Sequence, residues 1–132
     1  MMQRRLRAAL LSVALLAAGA QRLANAEPIR YEPQVVTVHG KLLSAPGATP
    51  DGKKLTFPAI QLDSPITVEG DQESPTERGV VLMHLVLNPR MMESFKSLKG
   101  QPATITGSLF HADNGNHQTN VLMTPAQIRP AK

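Results

Sequence analysis

The chain has 132 residues, no cysteine, no tryptophan and a formal charge of +4, from 14 Lys and Arg against 10 Asp and Glu. Without cysteine there are no disulfides, no thiolate metal sites and no lipidated amino-terminal cysteine to serve as a membrane anchor. Four of the bases (Arg4, Arg5, Arg7, Arg22) lie in the first 26 residues, which hold no acid, so the remainder is balanced at ten against ten. Basicity is therefore no argument for a nucleic-acid partner, and one Tyr and three Phe offer few surfaces for stacking bases.

Residues 1–26 read as a cleavable secretory signal. Arg4, Arg5 and Arg7 form a basic start, Ala8 to Ala20 is an apolar run, and Ala24-Asn25-Ala26 is a small-x-small site with cleavage after Ala26. The apolar run is short of the roughly 20 residues that a spanning helix needs. Arg4-Arg5 also admits a twin-arginine route, although Leu6-Arg7-Ala8 departs from its usual motif. The expectation is a protein delivered to the periplasm or secreted, with residues 27–132 forming one domain.

All 11 prolines and eight of the nine glycines follow residue 26, between apolar stretches, as short strands and turns require. Glu27 to Gln34, with Pro28 and Pro33, is an extended lead-in. Val35 to Leu43 alternates, with Val36, Val38, Gly40 and Leu42 on the inner face and His39 and Lys41 on the outer one. Gly40 on the inner face suits a sharp bend or the close approach of another backbone. Ser44 to Lys53 reads as a loop. Leu55 to Leu62 and Ile66 to Glu69 read as strands separated by a turn at Asp63-Ser64-Pro65, and the acidic Gly70 to Gly79 segment as a loop. Val80 to Leu87 is almost wholly apolar, which predicts a strand covered on both faces, with His84 a core histidine.

A helix follows. Asn88 is a good N-cap, Pro89 suits the first helical position, and Gly100 supplies a left-handed stop. Met91, Met92, Phe95 and Leu98 share one side. Pro102 to Phe110 is a strand with Ala103, Ile105, Gly107 and Leu109 inward, and a turn at Asp113-Asn114-Gly115 leads to a last strand near Thr119 to Thr124. The fold class is mainly β. A helix between the third and fourth strands, and inward glycines on curved strands, fit a small five-stranded OB-like barrel. A two-layer α+β sheet is the alternative.

The segment richest in chemistry is Leu109 to Thr119, with His111, Asp113 and His117 around one hairpin tip. A two-residue Asn114-Gly115 turn would pair His111 with Gln118. A three-residue loop with Gly115 left-handed would pair His111 with His117, with Cβ atoms about 5 Å apart. That second geometry would let His111 and His117 share a divalent transition metal, completed by Asp113, His39 or His84; otherwise the histidines bond to backbone and water. No nucleophile elbow and no paired carboxylates mark a catalytic set.

The stretches V-V-T-V-H-G-K-L-L (Val35 to Leu43), L-D-S-P-I-T-V (Leu62 to Val68) and T-I-T-G-S-L-F-H-A (Thr104 to Ala112), closing with Gly115, His117, Thr119, Val121 and Leu122, resemble a small exported bacterial family, the domain of unknown function 4431. The resemblance implies an exported small β-barrel of unassigned role. Family members carry more histidine at this turn: Asp113, Asn116 and Gln118 stand where histidines are usual, and Thr67 where a cysteine is common.

These readings point to a non-catalytic binding module for an envelope protein, peptide or glycan, with a ligand surface of His39, Lys41, His111, Asp113, His117 and Thr119. Nucleic acid is not an expected partner, and no cofactor beyond a divalent metal is implied. The alternatives are a histidine-hairpin metal-binding protein and an envelope-stress accessory or inhibitor protein.

Overall fold

The computed structural model describes residues 27–131. The signal-peptide reading, with cleavage after Ala26, falls outside the described residues. Among the described residues, no helix is long and apolar enough to cross a membrane.

The protein is mainly β, with six strands and one described helix: β1 (Ile29–Arg30), β2 (Val35–Ala48), β3 (Lys54–Glu69), β4 (Glu77–Leu85), α1 (Pro89–Leu98), β5 (Pro102–His111) and β6 (Val121–Pro130). Antiparallel pairings join β2 to β3, β3 to β4, β2 to β5 and β5 to β6. A short parallel contact, His84 with Leu122 and Leu85 with Met123, joins β4 to β6 and closes the hydrogen bonding into a ring. β1 adds a parallel pair outside the ring, on Val68 and Glu69.

The alternating pattern of β2 does what its sequence requires. Val36, Val38 and Leu42 are buried, while Thr37, His39 and Lys41 are exposed. Gly40 belongs to the buried set because a Cβ there would collide with the carbonyl of Gln61 on β3. On β5, Ala103, Ile105 and Leu109 are fully buried as the alternation predicts. α1 is capped as its sequence requires. The Asn88 side chain accepts the Met91 N–H at 2.8 Å, Pro89 opens the helix, and Gly100 adopts a φ of 87° after it. Met91 and Phe95 join the core that the ring encloses.

Several boundaries differ from the sequence reading. β2 continues through Pro46 and Gly47 to Ala48, because β3 pairs with it to the end and supplies the hydrogen bonds a loop would lack. The two pieces expected, Leu55 to Leu62 and Ile66 to Glu69, are a single strand, β3. The turn expected there is an irregularity in its pairing with β4, between Gln61 and Ile66. A shift of register bends a strand without ending it. β4 begins at Glu77, and it is not covered on both faces: Val81 is half exposed. The doubly covered strand is β6, where Val121, Leu122 and Met123 are all buried in succession.

That burial reveals a second apolar layer. Ala45, Phe57 and Ala59 form a small cluster with Leu43, Leu55 and Leu82, separate from the main core. By strand parity these side chains lie on the outer face, opposite Leu42 and Ile60. The segment that joins β5 to β6, residues 112–120, borders this cluster at the neighbouring His84 ring and at the β2 end.

Candidate functional site

Three places hold the side chains that the sequence marks out. The first is the tip between β5 and β6. His111 is the last paired residue of β5 and stands opposite Val121, and Ala112 N–H bonds to the Asn120 carbonyl. The connection is therefore nine residues long, and His111 pairs with neither His117 nor Gln118. The tight turn gives way because Asn114 organises a wider one. Its side-chain oxygen accepts the Asn116 N–H at 2.9 Å and its carbonyl accepts the His117 N–H at 3.2 Å. Gly115 is not left-handed; among the described residues the glycines with positive φ are Gly52, Gly79 and Gly100.

The two histidines point to opposite faces of β5. His111 lies on the Leu109 side. Its Nδ1 faces the Ala112 carbonyl at 3.2 Å, its Nε2 is 3.7 Å from Glu77 Oε1, and its ring meets the edge of Tyr31 with centroids 6.0 Å apart. His117 lies on the Phe110 side, 5.4 Å from that ring and 6.5 Å from the ring of His84. The shared-face geometry behind a His111–His117 metal pair is not present. Among the described residues, no three His, Asp or Glu side chains converge as around a metal ion.

His84 is half buried on the outer face, with its ring 4.9 Å from Phe57. Its Nδ1 accepts the Gln118 N–H at 3.3 Å, and its own N–H donates to Thr119 Oγ1 at 2.9 Å. Burial first, and the neighbouring His117 second, hold its pKa below the ordinary value of 6.5. Thr119, a residue of the expected ligand surface, ties the connection to β4 and donates to the Val121 carbonyl. Gln118 was not marked as a site residue, yet its side-chain amide bonds both backbone groups of Ala48, at 3.0 and 2.9 Å.

The second place is a cleft of about 400 Å³ lined by Tyr31, Glu32, Asp71, Glu73, His111 and Asp113, among others. Tyr31 is 6% exposed and donates its hydroxyl to the Pro75 carbonyl at 2.8 Å. Burial, then Glu77 and Asp71, push its pKa above 10.0. Asp71 is committed to its own loop, accepting the N–H groups of Glu73 and Ser74.

The third place is a groove of about 780 Å³ on the outer face, lined by Thr37, His39, Asp63, Thr104, Arg129, Pro130 and Ala131. His39, Thr104 and Arg129 form a row across three strands, since Thr104 pairs with both of the others. His39 Nδ1 is 3.0 Å from Thr104 Oγ1. Thr37 and Thr106 hydroxyls are 3.1 Å apart beside them. Arg129 makes no ion pair with any described residue, whereas Arg30 is held by Glu69 at 3.4 Å. The groove thus brings His39 together with residues that sequence reasoning passed over. Pairing of β5 with both β2 and β6 was the missing information.

Residues 82–128 match the family model of a domain of unknown function (DUF4431). That stretch resembles the DUF4431 domain. It spans the end of β4, α1, β5, the 112–120 connection and most of β6, and so includes His84, His111 and His117. The motif that carries the resemblance at Thr104 to Leu122 lies wholly inside it. No curated protein matches the chain.

Proposed function

We propose that the chain is an exported, non-catalytic binding module built on an OB-type barrel, with its ligand seat in the groove beside His39. The barrel reading rests on strand order: β2, β3, β4, β6 and β5 succeed one another around the ring, with the helix between the third and fourth long strands. The export reading rests on the charge, apolar run and small-residue site of residues 1–26.

One observation carries the ligand seat. The groove is of the size that takes a small ligand, and it juxtaposes a cation without a carboxylate partner, an imidazole, two hydroxyls and a carboxylate. Arg129 suits an acidic group and Asp63 a hydroxyl or amine, so a polar fragment of an envelope glycan or peptide fits the set. Binding is favoured over catalysis because the groove is open and His39 is exposed, without the dry enclosure that strengthens acid–base chemistry. Lys41 lies two residues further along the same face.

An NMR titration of the purified protein with soluble peptidoglycan fragments and with acidic oligosaccharides tests the reading. Shifts gathered at Thr37, His39, Thr104 and Arg129, and lost in Arg129→Met, are the expected result. Shifts gathered elsewhere, or none with either class, would remove the groove as the seat.

A further inference from the structure

We propose that residues 112–120 are an acid-released latch, closed over the outer aromatic cluster through hydrogen bonds that need neutral histidines. This inference is independent of the groove. It starts from what the segment covers. On an OB-type barrel, the outer face of the second and third strands and the loops beside it are where ligands bind. In this chain that face holds Phe57, Ala59, Leu82 and His84, and the chain's own connection closes over it. Gln118 bonds Ala48 at the end of β2, Gly47 leaves the space that the Gln118 amide fills, and Gly115 sits against Pro50 of the β2–β3 turn.

Two of the fastenings use an imidazole lone pair. His84 Nδ1 accepts the Gln118 N–H at 3.3 Å, and His117 Nδ1 accepts the Asp113 N–H at 3.1 Å. A proton on either nitrogen sets two donors against each other and breaks the bond. Protonating both rings also places two cations with centroids 6.5 Å apart against the apolar Phe57 and Phe110.

Among the described residues, His117 is the ionisable group that acts on His84. Phe57 of β3, Phe110 of β5 and Leu122 of β6, which complete the surroundings, are uncharged. Asp113 Oδ1 lies 3.2 Å from His117 Nδ1, so a proton on that nitrogen turns the ring from the Asp113 N–H to the carboxylate. A proton on His84 Nδ1 releases the Gln118 N–H, and Gln118 loses its hold on β4. His111 belongs to the other face, with Nε2 3.7 Å from Glu77 Oε1, and Glu77 Oε2 also accepts from the Asn120 side chain at 3.1 Å, a hold on the end of the segment that uses no imidazole.

The test is backbone amide exchange by NMR on the purified protein, from about pH 7.5 to about pH 5, the interval in which imidazoles titrate. After correction for intrinsic rates, protection of the Ala48, His117 and Gln118 amides is expected to fall about tenfold or more, while Val38 and Ile105 keep theirs. Fluorescence of an apolar dye should rise over the same interval as Phe57 is uncovered. In the double variant His84→Asn/His117→Asn, whose amide oxygens accept at any pH, the change should vanish. If that variant does not fold, the unmodified protein decides alone. Unchanged protection of the latch amides down to about pH 5 overturns the proposal. Loss of Val38 and Ile105 protection together with the latch also overturns it, because that is unfolding and not release.

Discussion

The Gln118 side chain completes β2 as a neighbouring strand would: its oxygen accepts the Ala48 N–H at 3.0 Å and its nitrogen donates to the Ala48 carbonyl at 2.9 Å. The same nitrogen reaches the Asn116 carbonyl at 3.0 Å, so one amide fixes both its own loop and the loop across from it. Gln118→Ala deletes all three bonds. The expected loss is about 1 kcal/mol, at the lower end of the range because the groups are exposed and water replaces them. Urea unfolding measures it, with Gln118→Glu as the control that keeps the acceptor and loses the donor.

Gly40 answers to a backbone. A methyl group there would strike the Gln61 carbonyl, which is held in the β2–β3 ladder and has no free rotation to escape. Gly40→Ala should destabilise by about 3 kcal/mol, against the few tenths usual at exposed positions. Gly52 faces open space, so Gly52→Ala reports only its φ of 90° and should cost about 1 kcal/mol.

Acid should weaken the fold through His84. Its folded pKa lies below its ordinary 6.5, so the unfolded chain takes up the proton first. The stability that the neutral ring contributes is whole above pH 6.5 and is lost as pH falls from there through the folded value. In His84→Phe, which keeps the packing on Phe57, thermal unfolding should depend less on pH in this window. An equal acid slope in the two proteins would remove His84 as the cause.

Alkali should act through Tyr31 in the opposite sense. Its folded pKa lies above 10.0, so the contribution of the neutral phenol is whole below pH 10.0 and is lost as pH rises through the folded value. Tyr31→Phe leaves the Pro75 carbonyl without its donor. It should cost about 1 kcal/mol at neutral pH and flatten the alkaline limb. Absorbance titration of the single tyrosine reads its ionisation directly.

Asn88→Ala should remove about 1 kcal/mol by freeing the Met91 N–H at the start of α1. Asn88→Asp should retain it, since a carboxylate accepts the same bond and suits the positive end of the helix. Chemical denaturation of the pair separates the cap from any effect of composition.

How much was legible varied with the range of the forces involved. The inner face of β2, the alternation of β5 and the whole of α1 with its Asn88 cap and Gly100 stop were readable, because each depends on side chains a few residues apart. The extension of β2 through Pro46 was not, because its hydrogen bonds come from Thr56 and Phe57 on β3. Asp63-Ser64-Pro65 looked like a turn because its composition is that of turns, and a register shift uses the same residues without reversing the chain. At the candidate sites the gap was wider. His39 was legible from alternation, but Arg129 joined it only through the pairing of β5 with two strands at once.

Residue order along the chain was enough to give a cysteine-free, mainly β fold with one capped helix, because periodicity and caps are local properties. Tertiary structure alone decided that His111 and His117 part to opposite faces, that Gln118 seals one loop to another, and that His39 meets Arg129. Those outcomes turn on strand register and loop length, where a single residue reverses the face of every side chain that follows.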